Sequence, residues 1–406
     1  MDTQTVAVAL VEIAIVIGGI MMAAAYLVLV ERRIAAWVQD RHGPNRVGIP
    51  LTSVRIFGLG QPIADGLKMV FKEEHSPRHV DPWLYLLAPL AIMAAALAVF
   101  AVIPFGSVLP PIPGWGQGQP IPLIIAPRVD VGLIYIFALS SIAVYGVILG
   151  GWASNSKYSF LGALRASAQM IAYELPLGLA ILGVVLASGS LRLDWIMDEQ
   201  AETGVWFVLA QPLGFVVFLI AAFAEAARLP FDLPEGEQEL VGGYHTEYAG
   251  IKLVLFLTAE FIHMITASFL IAILYLGGWH LWGLTGTPDS EITWGLALLR
   301  VMVLMLKIAA VVLFFMLVRW TWPRFRFDQL MSFAWKLMLP LGLVNLAMVA
   351  VVTELLHPQV FGQQLNDVLG PWLQVVVCLV GWAVALVAWT TVGWAALAES
   401  DNRPYR

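Results

Sequence analysis

Acidic side chains gather where two long apolar runs of this sequence meet. Glu225 ends one run and Glu260 lies inside the next. Between them, PFDLPEGEQELVGGYHTEYAG (Pro230–Gly250) adds Asp232, Glu235, Glu237, Glu239 and Glu247, and Arg228 is the only Lys or Arg between Glu225 and Lys252. Other ionisable groups interrupt apolar runs at Glu12, Glu174, His263, Lys307 and Glu354. A charge at the centre of a membrane span costs at least ~2.5–3.5 kcal/mol, so such groups face a bundle interior or a wet cavity. Glu12 and Glu354 lie close enough to the ends of their runs to snorkel to an interface. Carboxyls held close together in a poorly solvated site can exchange protons, because desolvation and like charge both oppose ionisation.

The spacing narrows the chemistry. Glu260 and His263 are three residues apart, on one helical face. Lys307 has no neighbour in sequence to neutralise it; a carboxylate on another helix, with Glu260 the natural candidate, is its expected partner. Glu235, Glu237 and Glu239 alternate by two, so a helix would not place all three on one face. LPEGE reads as irregular backbone, which membrane depth tolerates only against protein or a water-filled cavity. Two readings fit these residues. One is buried ion pairs that lock helices together beside a solvated acidic loop. The other is a proton path, in which the loop holds water and attracts protons and Glu225 and Glu260 take them deeper. A solvated loop alone does not account for acids in both flanking runs.

The elements that must position these groups follow from composition. The 406 residues are 60% hydrophobic and 12% charged, against about 45–50% and about 25% in soluble domains. The expected fold class is therefore an all-α polytopic membrane protein, one membrane domain over 1–406. A span takes ~20 mostly apolar residues, and nine such segments occur, at about 5–30, 83–105, 130–151, 166–189, 206–227, 250–276, 294–319, 333–356 and 372–397. Residues 5–30 read as a first span, since no basic stretch or small-residue cleavage site marks a signal peptide. Lys and Arg concentrate in the odd-numbered loops: Arg32, Arg33, Arg41, Arg46, Arg55, Lys68, Lys72 and Arg78 in the first, Lys157 and Arg165 in the third, and Arg319, Arg324, Arg326 and Lys336 in the seventh. The alternate loops hold only Arg128, Arg192 and Arg300 near their edges. Odd loops are thus expected in the cytoplasm, with the N-terminus outside and, given nine spans, the C-terminus inside.

Residues 52–74, TSVRIFGLGQPIADGLKMVFKEE, are too charged to span. Ile56, Leu59, Ile63, Leu67 and Val70 recur at helical spacing, and Gln61, Asp65, Lys68 and Lys72 follow the same period on another face, as in an amphipathic helix lying in the interface. Gly58, Gly60, Pro62 and Gly66 weaken its regularity. Such a helix is either an anchor with a solvated polar face or, through Asp65 and Lys68, the lining of an opening at the membrane surface. Upstream, ERRIAAWVQDRHGPNRVG (Glu31–Gly48) ends the first span and turns at GPN. Its arginines read as positive-inside markers or, with Glu31 and Trp37, as a seat for a polar headgroup or a partner subunit.

Several chemistries are not expected. Cys378 is the only cysteine, so no disulfide framework or cysteine-ligated cluster can be built. Among the histidines only His263 is clearly mid-span, too few for a transmembrane haem. GWGQGQ (Gly114–Gln119) lies among prolines in a loop, not between strand and helix, and is no dinucleotide site. This chain is expected to bind no redox cofactor of its own and no nucleic acid, and any electrons must come from another subunit.

Five stretches, in order, carry a resemblance: ERRIAAWVQDRHGPNRVG, GQPIADGLKMVFKEE, GWASNSKYSFLGALRASAQMIAYE (Gly151–Glu174), RLPFDLPEGEQELVGGYHTEYAGIKL and RFRFDQLMSFAWKLMLPLGLVN (Arg324–Asn345). Each resembles a signature of the H-type membrane-subunit family of respiratory complex I, the proton-pumping NADH–quinone oxidoreductase, known in mitochondria as subunit one. The resemblance implies an eight-helix core, with the ninth, C-terminal span outside it. It implies a chamber, formed with a hydrophilic arm docked on the cytoplasmic loops, through which quinone, the substrate, reaches an iron–sulfur cluster. The chamber mouth would lie near Glu31, Arg32, Arg33, Trp37, Asp65 and Lys68. An acidic path through Glu174, Glu225, Glu235, Glu237, Glu239 and Glu260 would lead on to antiporter-like subunits, with Lys307 counted beside Glu260. FMN and the iron–sulfur clusters would sit in partner subunits, with small and antiporter-like membrane subunits and membrane lipid as further partners. The family setting is the cell inner membrane, and no activity is expected of the isolated chain.

One departure stands out. The family often has Asn before the arginine ahead of PFD, where this chain has Ala227, so a polar contact beside Glu225 is expected to be missing. Related membrane subunits of membrane-bound hydrogenases, formate hydrogenlyases and other donor-linked dehydrogenases share the acidic core and are the alternative reading. A stand-alone proton-coupled transporter is a third, against which the sequence offers no inverted repeat and no paired broken helices.

Overall fold

A computed structural model describes residues 3–48, 57–111, 120–127, 129–233, 241–286, 290, 293–356 and 370–401. Its helices are α1 (Thr3–Val38), α2 (Gln61–Val70), α3 (Pro82–Ala98), α4 (Gly132–Ala153), α5 (Lys157–Ser188), α6 (Leu193–Thr203), α7 (Phe207–Ala210), α8 (Pro212–Glu225), α9 (Gly250–Tyr275), α10 (Trp294–Thr321), α11 (Phe327–Phe333), α12 (Leu339–Leu356) and α13 (Leu373–Asp401). A π-helical turn, Ala334–Met338, joins α11 to α12. Among the described residues the only sheet is a two-stranded antiparallel clip between α3 and α4, β1 (Val108–Leu109) with β2 (Ile121–Pro122), in which Val108 faces Pro122.

Eight of the described helices are long and apolar enough to cross a membrane. The sequence suggests nine; the segment at 206–227 instead forms α7 and the 14-residue α8. Pro212 is the cause, since a proline has no N–H to continue a helix but fits at the start of a new one. At 1.5 Å per residue α8 rises only about 21 Å, against an apolar core of ~30 Å. It lies at the centre of the bundle, packed against α5, α9, α12 and α13. Val217, Phe218, Ala221, Ala222 and Ala224 are fully buried. A helix break is tolerated there because the freed backbone meets protein and not lipid. Part of that cover comes from α13. A Cβ at Gly381 would meet the Ala210 carbonyl oxygen at 2.4 Å, so only glycine lets α13 approach the break this closely.

The expected interfacial helix is shorter than 52–74. Residues 49–56 lie outside the described residues, and α2 starts only after Gly58. That glycine has φ +74°, and a Cβ there would meet the Pro44 carbonyl oxygen at 2.2 Å. Ile63, Leu67 and Val70 stay exposed, and no residue of α2 is buried within the chain, as suits a helix whose apolar face meets lipid or another subunit.

Four connections meet at one end of the bundle. The Asn155 amide after α4 donates to His79 O at 3.1 Å. Tyr85 OH donates to Glu247 O at 2.6 Å. Arg228 after α8 reaches Glu31 at 3.3 Å, and Arg324 after α10 donates to Asp232 O. The connections after α1, α4, α8 and α10 thus share that end. At the other end, Leu133 N donates to Leu191 O at 3.2 Å and Gln200 to Ile273 O at 3.0 Å.

Candidate functional site

Two groups of polar residues lie near this shared end. The first is built on the last turns of α1. Glu31 is buried and accepts from two guanidiniums, Arg228 at 3.3 Å and Arg319 of α10. Arg228 is itself buried, its guanidinium 4.1 Å from the centre of the Phe261 ring. One carboxylate thus ties α1 to α10 and to the turn after α8, and Phe261 adds α9. Arg33 donates to Phe57 O. Arg32 pairs with Asp65 of α2 at 2.6 Å, and Gln61 donates to the same carboxylate at 2.9 Å. Trp37 and Lys68 are exposed at this end. Glu31, Arg32, Arg33 and Asp65 therefore lie close together at the end of α1. The roles of Arg228 and Arg319 go beyond the sequence reading; their signals are a lone base among acids and a base in the last turn of a span.

The second group lies inside the bundle around Glu225. Glu225 lies near Ser140 of α4, whose hydroxyl donates to Phe137 O at 3.1 Å, and is within Coulombic reach of Glu174. The neighbouring Ser141 donates to Glu174 of α5. Glu225 also lines two small cavities. One, of about 20 Å³, it shares with Ser140, His263 and Thr266. The other, of about 30 Å³, it shares with Tyr244, Glu260 and His263. A water molecule needs at least about 10–15 Å³, so each has room for one. Tyr244 OH donates to Glu260 at 3.4 Å. Glu174, Glu225 and Glu260, from three different helices, thereby form a row whose gaps are bridged by hydroxyls and water-sized spaces. Sequence reasoning missed Ser140, Ser141 and Tyr244; the adjacent serines in an otherwise apolar span are the signal that could have found the first two.

The turn that ends α8 explains position 227. Ala227 has φ +51°. Arg228 N donates to Phe223 O at 3.4 Å and Ala227 N to Ala224 O at 3.3 Å, the paired bonds of a Schellman cap. The left-handed position of that cap favours Gly or Asn. An asparagine there suits the backbone as much as any contact with Glu225.

Lys307 is placed differently from the expectation. Its ammonium does not hold Glu260. It donates to the carbonyls of Leu276 at 2.6 Å, Gly278 at 2.8 Å and His280 at 2.6 Å, and lies 4.5 Å over the Trp206 ring. Leu276 caps α9, where helix carbonyls lack donors and carry partial negative charge, and Gly278 and His280 lie in the turn that follows. Glu235, Glu237 and Glu239 lie outside the described residues.

Comparison with known proteins gives one consistent result. The profile of the family described as NADH dehydrogenase matches residues 11–350, ending before α13. An H-type NADH-quinone oxidoreductase subunit of Geobacter metallireducens is 47% identical over 341 residues, 84% of this chain and 95% of its own length. Another H-type subunit of this oxidoreductase, from Syntrophobacter fumaroxidans, is 48% identical over 339 residues, 84% and 94%. NADH-quinone oxidoreductase subunit 8 of Thermus thermophilus is 48% identical over 347 residues, 86% and 87%. On an all-helical membrane fold, with this identity across most of both sequences, the chain belongs to the NADH dehydrogenase family, within its branch of H-type NADH–quinone oxidoreductase subunits.

Proposed function

We propose that this chain forms the mouth and part of the wall of the quinone chamber of an NADH–quinone oxidoreductase, and that an acidic row within it couples quinone reduction to proton translocation. The names of its relatives support the complex and the substrate. Reducing a quinone to a quinol takes two electrons and two protons. In this reading the electrons come from iron–sulfur clusters, fed by FMN, in partner subunits on the cytoplasmic side. This chain supplies the entry, through Arg32, Asp65 and the buried Glu31 pair, and the proton connection, through Glu174, Glu225 and Glu260. Glu235, Glu237 and Glu239 would extend that connection towards the chamber. The Lys and Arg counts support a cytoplasmic mouth in the inner membrane, and the isolated chain would be inactive.

The observation that carries this reading is the position of Glu225. It sits between the serine link to Glu174 and the space shared with Glu260. Glu225→Gln keeps shape and hydrogen bonding but removes the exchangeable proton; Glu225→Asp keeps the charge and shortens the reach. The Gln variant is expected to assemble normally, by native gel, and to lose proton-coupled quinone reduction by about 100-fold, with Asp retaining more. Full coupled activity in an assembled Gln variant would remove Glu225 from the path.

A further inference from the structure

Beside the mouth, α1, α9 and α10 form with the β1–β2 clip an apolar groove of about 710 Å³. Its wall on α1 runs from Val11 through Gly19 to Val30, faced by Phe269 of α9 and by Ile308 and Leu313 of α10. Among the described residues, Glu12, at the far end, is the only ionisable one that lines it. Neither the quinone entry nor the acidic row uses this space.

Its length and width say what fits. The 19-residue advance from Val11 to Val30 rises about 28 Å, nearly the ~30 Å of a whole apolar core. A phospholipid acyl chain belongs to one leaflet and would reach about half that distance. Spread over the full length, the volume gives a mean cross-section of roughly 25 Å², which suits a slender chain. One long, slender hydrocarbon chain fits both dimensions. The cytoplasmic end of the groove is Val30, and the next residues are Glu31, held by Arg228 and Arg319, and Arg32, held by Asp65. Apolar groove and polar mouth are therefore continuous along α1.

We infer that this groove takes the polyisoprenoid tail of the quinone as its headgroup passes the mouth. The inference rests on the quinone reading above and adds to it a site for the tail, reaching towards the opposite leaflet. The groove aligns the long tail and keeps it out of the polar entry, so it distinguishes long-tailed from short-tailed quinones.

Gly19 provides the test. It lies on the groove wall, and a Cβ there meets no heavy atom within 4 Å. Gly19→Leu and Gly19→Phe therefore fill the groove without disturbing α1. Gly18, equally open but absent from the groove lining, provides the control Gly18→Leu. Assembled complexes in proteoliposomes are assayed with the organism's own long-tailed quinone and with the same headgroup on a one-isoprene tail. The Gly19 variants are expected to raise KM for the long-tailed quinone about tenfold, as for one overpacked side chain. KM for the short-tailed quinone and the behaviour of Gly18→Leu should not change. Equal rises for both quinones, or no change for either, would overturn the tail groove while leaving the Glu225→Gln test of the wider reading untouched. As a second measurement, a quinone with a photoreactive tail end should label α1 and α10. Labelling only by a phospholipid with a photoreactive acyl chain, or by neither probe because another subunit fills the groove, would overturn the inference.

Discussion

Glu31 and Arg228 are 197 residues apart in sequence and 3.3 Å apart in the fold, and both are buried. Removing one member of such a pair leaves the other charged and uncompensated, which costs about 3–5 kcal/mol. Here Arg319 shares Glu31, so Glu31→Ala strands two arginines and Arg228→Ala strands none completely. Glu31→Ala is therefore expected to lower the yield of assembled complex and its heat-inactivation temperature more than Arg228→Ala does. Equal effects, or none, would show that the pair is solvated once the partners are in place.

The Arg32–Asp65 pair behaves differently because its side chains are 48% and 34% exposed. Exposed pairs contribute at most about 1 kcal/mol, so Asp65→Asn should leave assembly intact. On the proposed role at the mouth, quinone reduction is expected to fall while electron transfer from NADH to an artificial acceptor that bypasses the proposed chamber continues. Parallel loss of both activities would point to a defect in assembly.

The serine link can be tested without touching an acid. Ser141 donates to Glu174 and Ser140 lines the space beside Glu225, and a hydrogen bond to a charged group contributes about 1.5–3 kcal/mol. The double variant Ser140→Ala with Ser141→Ala is expected to slow coupled quinone reduction about tenfold or more, with each single variant doing less. If proton uptake in vesicles is unaffected, Glu174 and Glu225 do not exchange protons through α4.

Ala227 offers a change that should help. A non-glycine residue in the left-handed region costs roughly 1–2 kcal/mol. Ala227→Gly, and to a smaller extent Ala227→Asn, should raise resistance to heat, and the β-branched Ala227→Val should lower it. The measurement is residual quinone reductase activity after heating; stabilisation by Val would contradict the cap geometry at φ +51°.

How much of this was legible depends on what each residue disrupts. Glu174, Glu225 and Glu260 are visible because a charge in an apolar run has few explanations. Ser140 and Ser141 pass unnoticed because serine in a span can satisfy itself on its own helix, as Ser140 does by donating to Phe137 O at 3.1 Å. The break at Pro212 was readable, but the apolar run continues through it, and only packing shows that α8 is central and short. That Glu31 is clamped by Arg319 depends on how α1 and α10 end side by side, which spacing along one chain does not encode. Lys307 called for a partner, and a carboxylate is the usual one; the carbonyls at the end of α9 and in the turn after it become available only once the chain has turned at Gly277 and Gly278.

Those carbonyls set the last expectation. Lys307 uses all three ammonium protons on Leu276, Gly278 and His280, so it has none left for Glu260. A cation at a partly buried helix C-terminus stabilises by up to about 2 kcal/mol. The three acceptors would be left short of donors if it were removed, each at a cost of about 1–3 kcal/mol that is not simply additive. Lys307→Met keeps the length and the apolar stem but loses the donors. Lys307→Arg keeps the charge but presents a planar fork where a compact, three-way donor sits, so it should rescue only in part. Both variants are expected to lower heat resistance and assembly, Met more than Arg. In the complex that does assemble, the number of protons translocated per quinone reduced should equal that of the parent. An assembled Met variant with unchanged heat resistance but impaired proton translocation would return Lys307 to the proton path and show that its carbonyl cap is incidental.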